Sequence, residues 1–263
     1  MYPVLFITPF IKVRSYYLLW AFALLIFSFW TRKRAVYKFR MDWNDVTSVI
    51  IWIYAAAVIG AFAGSLLWKI PFYITGRVNV GFLMQGGMSS SFGMLSGAIA
   101  GAYKLKKTGL SVDDFADAAV IPASVMIAVG RCGCFLEGCC IGRGKILAEC
   151  PWWGVHFPFD PVNLYRFPSQ LSESVFTLIM AVFLYYIEKK TAARRVKAGE
   201  KAVIAPIFLI MYGIYRLVFD NLRVPAEEAQ AFPFFNQDIL IFGMSIIAGV
   251  IWLMSYLISL RKK

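Results

Sequence analysis

VTSVIIWIYAAAVIGAFAGSLLW, residues 46–68, contains no charged side chain. Roughly 20 apolar residues in helical form cross the hydrocarbon of a bilayer, so this stretch reads as a membrane span. Working outward, uncharged runs of comparable character occupy Ser15 to Trp30, Val78 to Tyr103 and Ile239 to Leu260. Three shorter runs, Ala118 to Gly130, Ser174 to Ile187 and Ala202 to Tyr215, reach spanning length only by drawing charged neighbours into the membrane. The expectation is an all-α polytopic membrane protein with about seven transmembrane helices.

Composition agrees. Sixty per cent of the 263 residues are apolar and 16% are charged, and the mean hydropathy is +0.66, which excludes an ordinary soluble globular domain. The net charge of +12 raises nucleic acid as a partner, but the placement of the basic residues argues against it. With seven spans, Arg32-Lys33-Arg34 with Lys38 and Arg40, then Lys104, Lys106 and Lys107, then Lys189 to Lys201, and Arg261-Lys262-Lys263 all fall on one side. The positive-inside rule makes that side the cytoplasm, with the N-terminus outside and the C-terminus cytoplasmic. The segments before Tyr16, around Pro71 to Gln85, Arg131 to Gln170 and Asp220 to Asn236 then face outward, in the cytoplasmic (inner) membrane. No small-residue cleavage site follows Lys12 and Arg14 before Trp30, so the first span is expected to stay. No repeat or long soluble insertion appears, and residues 1–263 read as one integral membrane domain.

The three short runs are informative because of what they must absorb. The fourth span takes in Arg131 and Cys134, the fifth Gln170 and Glu173, the sixth Arg216 and Asp220, all at the outer end. An ionisable side chain within a span costs about 3 kcal/mol or more and by default marks a functional site. Arg216, Asp220 and Arg223 share a helical face at i, i+4 and i+7. Asp220 and Arg223 also read as a structural ion pair at the membrane edge, whereas Arg216 lies deeper. Two arginines on different outer-facing segments suit a phosphate, since each guanidinium offers a planar fork to two oxygens. In a membrane such phosphates are glycerophospholipid headgroups.

Gly93, Gly97 and Gly101 place small residues along one face of the third span, a packing stripe. Just before it, Gly86-Gly87 and Ser89-Ser90-Ser91 read as a helix start with donors that suit an anion. Cys132, Cys134, Cys139 and Cys140 crowd into nine residues on the outer side, followed by Cys150. Their Cys-x-Cys-x4-Cys-Cys spacing matches no usual zinc pattern and His156 is the only histidine, so neither metal nor cofactor is expected. Disulfides pinning the loop are one reading. A thiolate activated by Arg131 and Arg143 is the other.

Several of these stretches together resemble the prolipoprotein diacylglyceryl transferase family. The resemblance covers most of the chain. It is carried by Gly130-Arg131-Cys132-Gly133-Cys134-Phe135 through Gly142-Arg143, by Gly86-Gly87-Met88-Ser89, and by Pro168-Ser169-Gln170-Leu171 with Glu173. Tyr212-Gly213 leading to Arg216, Asp220 and Arg223, then Gln237 and Tyr16, complete it in order. Four positions depart from the family. Its histidine after Gly-Gly-Met-Ser falls at Ser91 or a neighbour, its signature asparagine is Cys134, and its following Asn and Glu correspond to Glu137 and Cys139.

The resemblance implies transfer of a diacylglyceryl group from phosphatidylglycerol to a lipoprotein-precursor cysteine at the outer membrane face. It makes Arg131, Arg216, Cys134 and Glu173 the candidate catalytic residues. Tyr16, Ser89, Ser91, Arg143, Gln170, Asp220, Arg223 and Gln237 become the candidate substrate contacts. The altered histidine and asparagine positions leave two alternatives: a related transferase with another acceptor and a cysteine-based mechanism, and a thiol redox or carrier protein on the same scaffold.

Overall fold

In the computed structural model, the residues described are 3–7, 12–76, 79–81, 88–145, 152–158, 160, 164–198, 203–222 and 237–261. Among them are seven α-helices: α1 Ser15–Phe39, α2 Trp43–Ile74, α3 Ser90–Lys107, α4 Val112–Glu137, α5 Ser169–Ala198, α6 Ile204–Phe219 and α7 Gln237–Arg261. A 3-10 turn, Asp220–Leu222, extends α6. Short strands β1 (Val4–Ile7) and β2 (Lys12–Arg14) pair antiparallel ahead of α1. Between α4 and α5, β3 (Gly144–Lys145), β4 (Val155–His156) and β5 (Tyr165–Arg166) form a small antiparallel sheet with β5 in the middle.

Local chemistry sets the helix limits. Asp42 caps α2, its carboxylate accepting from the Asn44 and Asp45 amides at 2.8 and 3.2 Å, a device that stabilises a helix by about 1 kcal/mol. Ser111 caps α4 through the Asp114 amide. Ser89 caps α3, so the uncharged run from Val78 to Tyr103 is not one span: its helix begins at Ser90. Gly138, with φ 76°, closes α4 in the left-handed conformation that glycine adopts without strain.

Among the described residues, four helical stretches are long and apolar enough to cross a membrane: Trp43–Ile74, Val112–Glu137, Ser169–Thr191 and Asp238–Ser259. Two were expected to be weak. Ala118 to Phe135 and Gln170 to Ile187 each take in a single charged residue, Arg131 or Glu173, and remain strongly apolar. Conversely, α1 carries tyrosine, tryptophan and a basic cluster, and α3 ends in three lysines, which lowers the hydropathy of two runs that looked self-sufficient.

The packing of α2 on α3 uses the glycine stripe. A Cβ at Gly93 would lie 3.0 Å from the Ala57 carbonyl oxygen, and one at Gly97 3.2 Å from that of Ile53. Only glycine lets the backbones approach this closely. A second core joins α4, α5, α6 and α7 through Val120, Ile121, Met180, Leu184, Tyr212 and Phe242. Large apolar side chains point away from these cores, including Phe22, Ile59, Leu67, Ile179 and Ile251. Such a surface is stable in lipid and aggregation-prone in water.

Contacts fix the relative ends. The starts of α3, α5 and α7 meet the ends of α4 and α6 at one pole, described below. At the other pole, Arg34 of α1 donates to Glu188 of α5 at 2.6 and 3.2 Å, and Lys38 reaches the same carboxylate at 2.8 Å. Arg34 also donates to the Ala118 and Asp117 carbonyls at 2.9 and 3.1 Å. Pro122 explains why the Ala118 carbonyl accepts: proline has no amide hydrogen to return to the residue four before it. The Asp117 carboxylate accepts from the Val203 and Ala205 amides, fixing the start of α6.

Candidate active site

Glu173, in the second turn of α5, is 3% exposed and lies between two arginines. One oxygen is 3.0 Å from Arg131 Nε and the other 3.2 Å from Arg216 Nη1. Tyr212, one turn before Arg216 on α6, donates its hydroxyl to Glu173 at 2.8 Å. The helical period explains why one residue can gather them: Tyr212 and Arg216 are four apart and face the same way. Burial of an ion pair costs free energy that its own attraction must offset. The extra hydrogen bond from Tyr212 satisfies a carboxylate lone pair that would otherwise add to that cost.

Arg216 carries the network further. Its Nη2 lies 3.1 Å from Asp220 and 3.5 Å from Asp238, in the first turn of α7. Its guanidinium sits 4.9 Å from the Phe242 ring centre. Asp238 bonds Ser91 of α3. Four helices therefore converge on Glu173 and Arg216, and α3 joins through Ser91. The Arg216 Nε–H is buried and has no hydrogen-bond partner among the described residues.

The cysteine segment closes the other side. Arg131 lies within electrostatic reach of Cys134 and Cys140, and Tyr16, at the start of α1, within reach of Cys134, Cys139, Cys140 and Arg131. The Sγ atoms of Cys134, Cys139 and Cys140 all lie within 4.8 Å of one another. Cys140 has φ 59°, a left-handed conformation that costs a non-glycine residue about 1 kcal/mol or more. Hydrogen bonding with Cys134 and Cys140 pushes the Cys139 thiol up from its ordinary range.

Residues at the start of α5 hold this segment. Gln170 donates to the Cys139 carbonyl at 2.5 Å, and Ser169 to that of Cys140 at 2.7 Å. Beyond it, a Cβ at Gly142 would lie 2.4 Å from the Phe167 carbonyl oxygen, so the chain passes there only as glycine. The Arg143 amide donates to the Leu222 carbonyl at 2.7 Å, tying the segment to the turn that bears Asp220. Arg143 itself is exposed.

The structure thus brings together Arg131, Glu173, Arg216, Asp220 and, through Asp238, Ser91. Cys134 and Gln170 adjoin them. Ser89 caps a helix, Cys132 points to the Ser174 hydroxyl at 3.5 Å, and Gln237 opens α7. Arg223, Gly86, Gly87 and Cys150 lie outside the described residues. His156 sits in β4 beside the Tyr165 ring. Sequence reasoning missed Asp238 and the Tyr212 hydroxyl. The signal for Asp238 was present: an acidic side chain in the first turn of an apolar span, like Glu173.

A helical membrane body that holds, at one pole, a buried chain of two arginines and an intervening carboxylate belongs to a definite class. The chain is a member of the prolipoprotein diacylglyceryl transferase family, whose model matches residues 3–260. It is similar to the phosphatidylglycerol--prolipoprotein diacylglyceryl transferase of Azospirillum brasilense, 32% identical over 189 residues covering 70% of this chain and 67% of that one. The enzyme of the same name from Geobacter sulfurreducens is 27% identical over 264 residues, 99% of this chain and 96% of the relative. That from Pseudoalteromonas translucida is 27% identical over 254 residues, 94% and 89%.

Proposed function

We propose that the chain transfers a diacylglyceryl group from phosphatidylglycerol to the cysteine thiol of a lipoprotein precursor, at the outer face of the cytoplasmic membrane. The carrying observation is Arg131 and Arg216 held on opposite oxygens of Glu173 at one pole of the bundle, in a family member matched over nearly its whole length. In this reading all seven helices cross the bilayer, with the N-terminus outside, and the Arg34 pole is cytoplasmic. The aromatic surface of α1 and its basic end support its role as a span.

The chemistry is displacement at the glyceryl carbon that bears the phosphate. Acceptor sulfur forms a bond to that carbon, the carbon–oxygen bond breaks, and glycerol phosphate leaves with the electron pair. Negative charge grows on the leaving phosphate, and preorganised guanidiniums stabilise it most where water is excluded. Around Arg216 the described groups are two guanidiniums against three carboxylates, Glu173, Asp220 and Asp238. A headgroup phosphate therefore competes with carboxylates for the forks, and the unpartnered Arg216 Nε–H offers it a donor outright. Arg131, the more exposed of the two arginines, is the one a headgroup meets first.

A relay through one of the chain's own cysteines does not fit this chemistry. Alkylation of Cys134 or Cys139 gives a thioether, which a second thiol does not displace, so the enzyme would stop after one turnover. The test is purified protein in detergent with labelled phosphatidylglycerol and a lipobox peptide. Labelled peptide is expected, and an unlabelled peptide beside a working relative would sink the reading.

A further inference from the structure

We propose that Cys134, Cys139 and Cys140 form a three-thiolate zinc site whose fourth position takes the acceptor cysteine, presenting it as a thiolate to the phospholipid. The proposal rests on the diacylglyceryl-transfer reading and adds the group that prepares the nucleophile.

The first support is geometric. Three sulfur atoms, contributed by the end of α4 and the turn after it, lie within 4.8 Å of one another. Zinc holds thiolates at about 2.3 Å in tetrahedral array, which puts sulfurs about 3.8 Å apart, so the three need to close by only about 1 Å. A disulfide would use two of them and leave the third. The linear spacing hid this arrangement, because the left-handed turn at Gly138 returns the Gly138 and Cys139 amides to the Cys134 carbonyl and so brings the later cysteines back toward Cys134.

The second support is the shell behind the ligands. Gln170 and Ser169 hold the Cys139 and Cys140 carbonyls, the kind of outer contact that fixes ligand orientation. The Gln170 side chain is 1% exposed, and its Oε1 has no hydrogen-bond partner among the described residues. An unpartnered buried acceptor beside the thiols is placed to receive an amide of a bound peptide. Cys140 is exposed while Cys134 is buried, so the open side of the trio faces an incoming acceptor. Three ligands and one vacant position are the arrangement of catalytic rather than structural zinc.

The third support is chemical need. The place of the family histidine falls at Ser91 or a neighbour, and the Ser91 hydroxyl is committed to Asp238. Zinc does the missing work directly, since a coordinated thiol is deprotonated outright while its sulfur remains nucleophilic. On binding, the acceptor S–H loses its proton to solvent. Its sulfur then forms the carbon–sulfur bond, glycerol phosphate departs with the carbon–oxygen electron pair, and the thioether, a weak ligand, leaves the metal. The metal neither gains nor loses electrons. Three thiolates on zinc carry one net negative charge, within electrostatic reach of the Arg131 guanidinium. Coordination also restrains the three thiols from self-alkylation.

The test uses the full chain purified in detergent. Elemental analysis after dialysis against zinc chloride and exhaustive washing is expected to find about one zinc per chain, closing a mononuclear site. Cys134→Ser, Cys139→Ser and Cys140→Ser each lose it, whereas Cys132→Ser and Cys150→Ser keep it. Cobalt-loaded protein is expected to show thiolate charge-transfer bands that change on adding a lipobox peptide and not its serine analogue. Gln170→Ala is expected to weaken metal affinity or transfer about tenfold. The proposal is overturned by transfer at full rate in protein stripped with chelator, or by metal loss in the Cys150 variant. It is equally overturned by a cysteine pair that alkylates under denaturing conditions only after reduction. Metal binding and the peptide-dependent spectral change without lipid transfer would leave the zinc site standing and sink the transfer reading.

Discussion

The two poles of this bundle carry similar ingredients and use them differently. At one, Arg34 donates through every nitrogen that bears hydrogen, to Glu188 and to the Asp117 and Ala118 carbonyls, while both Asp117 oxygens hold amides of α6. At the other, Arg131 and Arg216 share Glu173, but Arg216 Nε and Gln170 Oε1 are left without described partners, and three thiols crowd together. A saturated cluster is cement between helices. An unsaturated one, equally buried, has valences reserved for something else.

The sharpest way to break this contrast is at Glu173. Glu173→Gln leaves two buried guanidiniums facing a neutral amide, and removing one member of a buried pair costs about 3–5 kcal/mol. Both the melting temperature and transfer are expected to fall, the latter by about 10²–10³-fold as the arginines lose their aim. Next is Arg216→Lys, which keeps charge and loses the fork. Transfer is expected to drop about 10²-fold with the melting temperature nearly unchanged. Arg34→Ala should do the reverse, lowering stability by about 3 kcal/mol in thermal unfolding while the folded fraction retains its rate. Equal loss of rate per folded molecule in Arg34→Ala and Arg216→Lys would erase the distinction between the poles. Asp117→Asn should cost about 1 kcal/mol at the start of α6, visible in the same melts and not in turnover. His156→Ala, out on β4, should stay within about 0.5 kcal/mol and leave the rate alone.

The same contrast shows what was legible in the residues. Arg131, Glu173 and Arg216 stood out because each interrupts an apolar run, and a charge in such a place needs a reason. The glycine stripe announced a close helix pair. Arg34 was invisible, since it lies in a basic cluster that reads as an orientation signal, and nothing in linear order links it to Glu188. The cysteines were conspicuous, yet their convergence depends on the helix-closing turn at Gly138 that no spacing pattern of cysteines encodes. At α1 and α3 uncharged length alone overstated the apolar character, because aromatic residues, lysines and a helix cap lower it.

Pro122 has a consequence for how the chain is assembled. By leaving the Ala118 carbonyl without its usual helical donor, it creates an acceptor for Arg34, a residue synthesised 84 positions earlier. Glu188 arrives 154 positions after that arginine. In the seven-span reading, the first helix therefore waits at the membrane edge during insertion with its guanidinium in water. Its final docking is timed by the birth of the fourth and fifth helices, so a proline at 122 helps set the order in which this bundle closes.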